Sequence, residues 1–596
     1  MPIEPSHESS PYLPLVVRHL PLVRHAIDEL GIPEVIDSVS PPDPRHRVTD
    51  GECVKVMILN VLQGRVSLYK MQEWLSLTDA ELLLGRDVPV DAFNDDRLGH
   101  CLDRLFDNGT EFIFSRVAQQ VLCRPEMGTS YSVHNDTTSV KLFGRYEEDP
   151  EDPWPAEAPR PKQGFSKDHR PDLKQLIFGL CLQGATRIPL GFTVLDGNTP
   201  DAKANRFQIE SLTQLLPPEH DVTLVADSKF VDATTLGSAR DADFHYISLL
   251  PRNYHLRRVL VEELRTSPVQ LNIVGSYPSK RKGAPDRIYR ATSVVRSFPV
   301  MDSSTGELRA VDHRFVIIRS TTKEAEFDST IDKRVAKAEA ALNRTLARLA
   351  KRDFACEADL RSATEQVMKG ARYHRVDARF GTVEVLKKRS RRGRPRKGEP
   401  PPTQTVWRLL DFTVTRDEER IAVERFHAAH FVLITDHVDR TEWSDKRIFE
   451  TWRSQQSIEG HAGFRWLKGV AEVAPVFLKL PHRIQALALV FMLALMVRNW
   501  IEFYMRTRLA ETGEKLPNFL GKPISRPTAE NLFYLFRGVT VLARVKDDAI
   551  VSRQVHFLDV DPYARDALAI FGLTERLFTT PPLRKYPDPL DPIGEM

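Results

Sequence analysis

The sequence predicts an α/β protein, a mixed-sheet core interrupted by a β-rich insertion and preceded by a helical N-terminal region. Three observations predict it. Helical periodicity runs to about residue 125 and then gives way to short apolar runs. From about 130 to 255 three strand-like runs are followed by helix, strand, helix and strand. From about 256 to 440 the β-rich texture returns around a long charged helical segment. At 596 residues the chain exceeds what one core usually supports. The expected units are 1–125, helical and DNA-binding; 126–258, the first part of the core; 259–438, the insertion; 439–512, the second part of the core; and 513–596, a helical region and tail.

In the N-terminal unit, "GECVKVMILNVLQGRVSLYKMQEWLS" has helical spacing interrupted at Gly64. "DAFNDDRLGHCLDRLFD" follows, with Asp91 or Asn94 as cap and Leu98, Leu102, Leu105 and Phe106 on one face. Two short helices joined at a glycine suit a helix-turn-helix, and equally any small helical bundle. The core strands are "TSYSVHNDTTSVKLFG", "LKQLIFGLCLQ", "IPLGFTVLDGN", "VTLVADSKF" and "FHYISLLP". "ANRFQIESLTQLL" and "VDATTLGSAR" are the helices between them. In the insertion, "DRIYRATSVVRSFPV", "HRFVIIRS" and "TVWRLLDFTVTRD" are strands, with a helical segment over about 330–370. "KKRSRRGRPRKGEPPP" is an exposed basic loop. After "FVLITD" a helical region runs over about 442–510.

Composition excludes several classes. Lys and Arg number 84 against 81 Asp and Glu, a formal charge of +3, so any basic surface must be local. The five cysteines are scattered without a CxxC, which argues against a zinc site or a disulfide framework and fits a reducing cytoplasm. The start lacks a signal pattern. The most apolar run, "ALALVFMLALMV", has twelve residues, too few to span a bilayer, and reads as a buried core helix; no membrane partner is expected.

Chemistry points to three carboxylates. Asp136 sits in the first core strand, and Asp227 ends the buried strand "TLVADS". Glu459 stands in "TWRSQQSIEGHAGFRWLKG" among Arg453, His461, Arg465 and Lys468. Taken singly, each suits a cap or a surface ion pair. Converging, they would repel unless Mg²⁺ or Mn²⁺, which prefer oxygen ligands, neutralised them. Two such ions would activate an attacking oxygen and stabilise the leaving one at phosphorus.

The segments "FNDDRLGHCLDRLFD", "HNDTTSVKLFG", "GFSKDHRPDLKQLIFGL", "IPLGFTVLDGN", "LVADSKF", "FVLITD" and "IEGHAGFRWLKG…APVFLKLPHRIQALALVFMLALMVRNWIE", in this order, resemble DDE-class insertion-sequence transposases. The resemblance is strongest to the branch related to insertion-sequence family 4, which carries a β-rich insertion before the glutamate. It implies an RNase H-like core with Asp136, Asp227 and Glu459 as catalytic residues and ligands of two Mg²⁺ or Mn²⁺ ions. It implies cleavage at the element's ends and joining of the 3′-hydroxyl to target DNA. The partners would be double-stranded DNA, as terminal inverted repeats and target, and a second copy in a homodimer on DNA. The setting would be a prokaryotic cytoplasm, at the nucleoid when DNA-bound. A catalytically inactive DNA-binding derivative or repressor, and a nuclease without strand transfer, are the alternatives.

In the family's glutamate motif Trp452 stands for the Tyr and Gln455 for the Arg, while Lys468 falls nine residues after Glu459 instead of seven. Gly460 and Gly463 suggest a break that absorbs the extra residues. Lys174, Lys229, Arg465 and Lys468 are candidates for phosphate contact, or solvated surface charges. Trp452 would stack on a base or sit half-buried as a core indole. "RGRPRK", with Arg392, Arg394 and Arg396, resembles an AT-hook; minor-groove binding, nonspecific phosphate contact and an idle loop all remain open.

Overall fold

A computed structural model describes residues 12–151, 153–164, 170–279, 285–387, 400–401, 403–460, 463–473, 478–547, 549–556 and 563–582. Seven helices follow a short strand β1 (Tyr12–Leu15): α1 (Leu20–Glu29), α2 (Ile32–Val39), α3 (Asp50–Leu59), α4 (Met71–Ser76), α5 (Ala80–Leu84), α6 (Asp95–Asp107) and α7 (Thr110–Leu122). Thr49 and Glu52 start α3 with a reciprocal capping box. Asn94 caps α6: its Oδ1 accepts the Arg97 N–H at 2.8 Å, and its Nδ2 donates to the Asp91 carbonyl at 3.2 Å. The α3–α4 pair is separated by a π-turn, Asn60–Gly64, where a Cβ on Gly64 would lie 2.3 Å from Trp74 Nε1. Every residue of α3 is buried, so of the two only α4 faces the surface.

The core begins with β2 (Ser130–Leu142), β3 (Lys174–Gln183) and β4 (Pro189–Leu195), then α8 (Asp201–Leu215), β5 (Asp221–Ala226), α9 (Ala233–Asp241), β6 (His245–Leu249) and α10 (His255–Thr266). β3 and β5 are buried along almost their whole length, as strands covered on both faces must be. The next stretch holds β7 (Asn272–Tyr277), β8 (Arg287–Met301), β9 (Leu308–Ser320), α11 (Thr321–Leu349), α12 (Glu357–Lys369), β10 (His374–Leu386), β11 (Thr403–Arg416), α13 (Glu418–Ala429) and β12 (His430–Thr435). The long helical segment expected over 330–370 is two helices, starting nine residues earlier than expected.

One nine-stranded mixed sheet has the order β4-β3-β2-β5-β6-β12-β9-β8-β7. β2, β5 and β6 are mutually parallel neighbours, while β3, β4 and the strands from β12 outward pair antiparallel. The strands expected to form an insertion of their own thus split in two. β7, β8, β9 and β12 extend the core sheet, and the β10–β11 hairpin forms a separate two-stranded sheet. That hairpin shares a small apolar cluster with α11 and α12, built from Leu342, Leu346, Leu360, Val376 and Leu409.

The chain continues with α14 (Asp445–Arg453), α15 (Gln456–Glu459), α16 (Phe464–Val473) and α17 (Pro481–Thr512). The twelve-residue apolar run lies inside a 32-residue helix, long enough by length alone to cross a bilayer. Its 18-residue apolar window is wholly buried among the protein's own elements, including α1, α3, α6, α7 and β4. It is a core helix, as its flanking arginines suggest.

After the short hairpin β13 (Leu516–Pro517)–β14 (Pro523–Ile524) come α18 (Ala529–Leu535), β15 (Thr540–Lys546), β16 (Ala549–His556) and α19 (Tyr563–Ile570). The region expected to be helical therefore carries a strand pair, and β1 joins it, in the order β1-β15-β16. His19 reinforces this junction of the chain's two ends. It stacks on Phe533 with centroids 4.2 Å apart, and its Nε2 lies 3.1 Å from the Leu62 carbonyl oxygen.

Burial lowers the His19 pKa from 6.5 to about 4. The unfolded chain therefore binds this proton first as pH falls. Stability is present above pH 6.5 and is lost between 6.5 and 4, by up to about 3 kcal/mol for this residue. Thermal unfolding followed across that window should show a shallower acid decline in His19→Gln than in the wild type.

Candidate active site

Asp136 and Asp227 come together through strand pairing. β2 and β5 run parallel, with Asn135 opposite Ala226. Asp136 and Asp227 each follow by one residue, which sets their Cα atoms about 5 Å apart on neighbouring strands. Asp136 lies in mid-strand, half-buried, and its Oδ1 accepts the Thr137 N–H at 2.7 Å. Asp227 lies just past the strand end, exposed. Its Oδ1 accepts the Lys229 N–H at 2.9 Å, and its carbonyl accepts the Ser248 hydroxyl at 2.7 Å. One carboxylate is thus held on a rigid strand and the other on a turn pinned to β6.

Glu459, exposed, ends the single turn α15, in which Ile458 is buried, and both α15 and α16 pack on β2. Side chains alternate along a strand, so His134 shares the Asp136 face. His134 Nε2 lies 3.0 Å from the hydroxyl of Ser454, between α14 and α15. That hydroxyl donates to the Thr451 carbonyl, so it accepts the Nε2 proton of His134. Burial lowers the His134 pKa to about 4, which keeps this tether neutral beside the acidic pair. The opposite face of β2 is occupied by α8, where Thr137 donates to Asp201 at 3.0 Å. The segment that carries Glu459 is thus tied to the strand face that carries Asp136. The Glu459 carboxylate does not close on the two aspartates: among the described residues they form no group with all ligand atoms within 4.8 Å.

The break after Glu459 falls where the glycines suggest. α15 stops at Glu459, Gly463 N–H donates to the Gly460 carbonyl, and α16 restarts at Phe464. His461 and Ala462 lie outside the described residues. A Cβ on Gly463 would lie 2.1 Å from the Ile458 carbonyl oxygen, a contact with backbone that cannot yield. Gly463→Ala should displace the Glu459 turn. Urea unfolding of Gly463→Ala should show a lower midpoint than the wild type, since the backbone must shift to admit the methyl group.

The basic and aromatic candidates divide. Lys229 is exposed in the turn after Asp227, and Arg465 is exposed on α16. Lys468 is half-buried on the same helix, and Gln455 is half-buried between α14 and α15. Lys174 lies elsewhere. It pairs with Leu142, six residues or about 20 Å along β2 from Asp136, and its Nζ donates to the Tyr146 carbonyl at 2.8 Å. The Trp452 ring packs on Phe431 at 5.2 Å, half-buried beside Phe449. Arg392, Arg394 and Arg396 lie outside the described residues. His134 and Ser454 were not singled out in the sequence, since nothing local links residues 320 positions apart.

An all-oxygen donor set on two neighbouring interior strands fits a hard divalent cation. Asp136 and Asp227 would hold it, with Glu459 as the third carboxylate.

Residues 15–119, well under half of the chain, match a family described as a domain of unknown function, DUF4277. No curated protein matches the chain. Among solved structures, the chain is similar to the piggyBac transposase in a synaptic complex with hairpin DNA, seen by cryo-electron microscopy. The two are 12% identical, and the match covers 47% of this chain and 60% of that one, less than two thirds of its length, with a TM-score of 0.25. A likeness that loose carries no argument about chemistry.

Proposed function

We propose that the protein is a DNA transposase of the DDE class, with an RNase H-like core formed by β2 to β6 and their helices. The observation that carries this reading is the register of β2 and β5, which sets Asp136 beside Asp227 on neighbouring interior strands. The order β4-β3-β2-β5-β6, with β2, β5 and β6 parallel, supports it. So does α15, which packs on β2 and ends in Glu459.

Asp136 and Asp227 would hold divalent ions against a scissile phosphate, and Glu459 would complete the carboxylate set. When bound, such ions activate the attacking oxygen and stabilise the leaving one. The chain's own part is positional. β2 and the Asp227 turn fix two carboxylates, and the His134–Ser454 contact seats the helical segment bearing the third. Lys229 and Arg465, both exposed, would meet phosphate oxygens flanking the cut. Water is the first nucleophile, and the freed 3′-hydroxyl the second. The DNA acted on would be the element's terminal inverted repeats and then the target, bridged by two copies of the chain.

The test reads the DNA flanking the gene for short inverted repeats, then uses labelled duplexes carrying them, with Mg²⁺ and a supercoiled target. Cleavage with strand joining supports the proposal. Cleavage without joining would favour a nuclease, and binding without cleavage a repressor.

A further inference from the structure

Three side chains that the proposed chemistry leaves unused converge at the other end of the parallel strands. His245 opens β6, and Asp436 and His437 directly follow β12, its antiparallel neighbour. One ligand atom from each lies within 4.8 Å of the others. His245 Nδ1 is 2.8 Å from Asp436 Oδ2, and the two imidazole centroids are 4.3 Å apart. Outer contacts orient the set. Tyr246 N–H donates to Asp436 Oδ1 at 2.9 Å, and the Thr223 hydroxyl lies 2.9 Å from His437 Nε2. His437 is stacked on Trp443 at 3.9 Å, with the Arg447 guanidinium 3.8 Å from that indole.

We propose that His245, Asp436 and His437 bind one divalent transition-metal ion of the zinc class, at a site separate from the aspartate pair. Two imidazoles and a carboxylate suit such an ion, whereas the aspartate pair offers oxygen alone. Tetrahedral bonds of about 2.0–2.2 Å put neighbouring ligand atoms about 3.3–3.6 Å apart, within about 1 Å of the 2.8 Å His245–Asp436 separation. The hydrogen bonds to Asp436 Oδ1 and His437 Nε2 are of the outer kind that aims ligands and fixes tautomers. His245 is exposed enough for water to fill a fourth position. His245 is in register with Thr223, four residues or about 13 Å before Asp227 on β5, so one ion cannot serve both sites. The ion clamps the start of β6 to the β12–α14 connection, the stretch that leads to Glu459.

The experiment is titration of tag-free, metal-stripped full-length protein with Zn²⁺, with bound metal counted after gel filtration. One equivalent per chain is expected, undisplaced by millimolar Mg²⁺ and unchanged in the Asp136→Asn/Asp227→Asn double variant. His245→Gln and Asp436→Asn should each weaken binding about tenfold or more, without loss of circular dichroism. Co²⁺ bound to the wild type should give visible bands distinct from the aquo ion. Absence of a stoichiometric equivalent, binding indifferent to both substitutions, loss of the equivalent in the aspartate double variant, or an aquo-like Co²⁺ spectrum would each overturn the site. The count does not depend on cleavage activity, so this inference and the transposase reading fail separately.

Discussion

Asp136→Asn and Asp227→Asn should each lower strand cleavage by about three orders of magnitude or more, about 4 kcal/mol of barrier, while DNA affinity stays near wild type. The asparagine is almost isosteric and keeps an oxygen for the hydrogen bonds that Asp136 and Asp227 accept from Thr137 and Lys229. What it removes is the negative charge a hard cation needs. Melting temperature should change little, because Asp227 is exposed and Asp136 only half-buried, and asparagine keeps the shape of each side chain. The decisive pair of readouts is cleavage against filter-retained DNA in the same preparation. A variant that cleaves at even a tenth of the wild-type rate would show that the strand-register pair is not the catalytic centre. A parallel drop in affinity would point to a DNA-positioning role instead.

The second large effect concerns stability. Arg498 lies fully buried in the middle of α17 and holds Glu530 of α18 through two hydrogen bonds of 2.7 and 2.8 Å. It also donates to Asn499 Oδ1 and lies 3.4 Å from Glu502, which accepts the Ala529 N–H at the start of α18. Burying these charges was costly, and their mutual contacts offset that cost. Removing Arg498 leaves Glu530, whose side chain is 36% exposed, without this partner, while Glu502 keeps Arg506 and Arg187. Arg498→Met should therefore destabilise the protein by about 2 kcal/mol, read as a lower midpoint in urea. Arg498→Met combined with Glu530→Gln should recover part of that loss, since the double change removes the stranded carboxylate along with its partner. A single variant as stable as the wild type would mean that α18 is held by its apolar contacts alone.

Elements set by local pattern were legible. The strands around Asp136 and Asp227, the helix 201–215 and the capped helix at Asn94 all follow from alternation, 3.6-residue spacing and end chemistry. The break at Gly460–Gly463 was legible too, because glycine and spacing alone flag it. The C-terminal pair β15–β16 was not. "LFYLFRGVTVLARV" is mostly apolar on both sides of Arg537 and Gly538, and such short apolar runs carry no period that separates helix from strand. β15 pairs with β16 on one side and on the other with β1, more than 500 residues away.

The sequence by itself determined which residues could carry the chemistry, since side-chain type and near-neighbour spacing are encoded locally. Tertiary structure decided which of them meet. Strand register put Asp136 beside Asp227, and a contact between residues 320 positions apart seated the Glu459 segment. Edge pairing drew β7, β8, β9 and β12 into the core sheet, and burial inside the protein claimed a helix long enough for a membrane. Lys174 moved out of the site, and His245, Asp436 and His437 became a cluster, for the same reason. Pairing partners distant in the chain leave no periodicity in the segments they join, so only the folded arrangement reveals them.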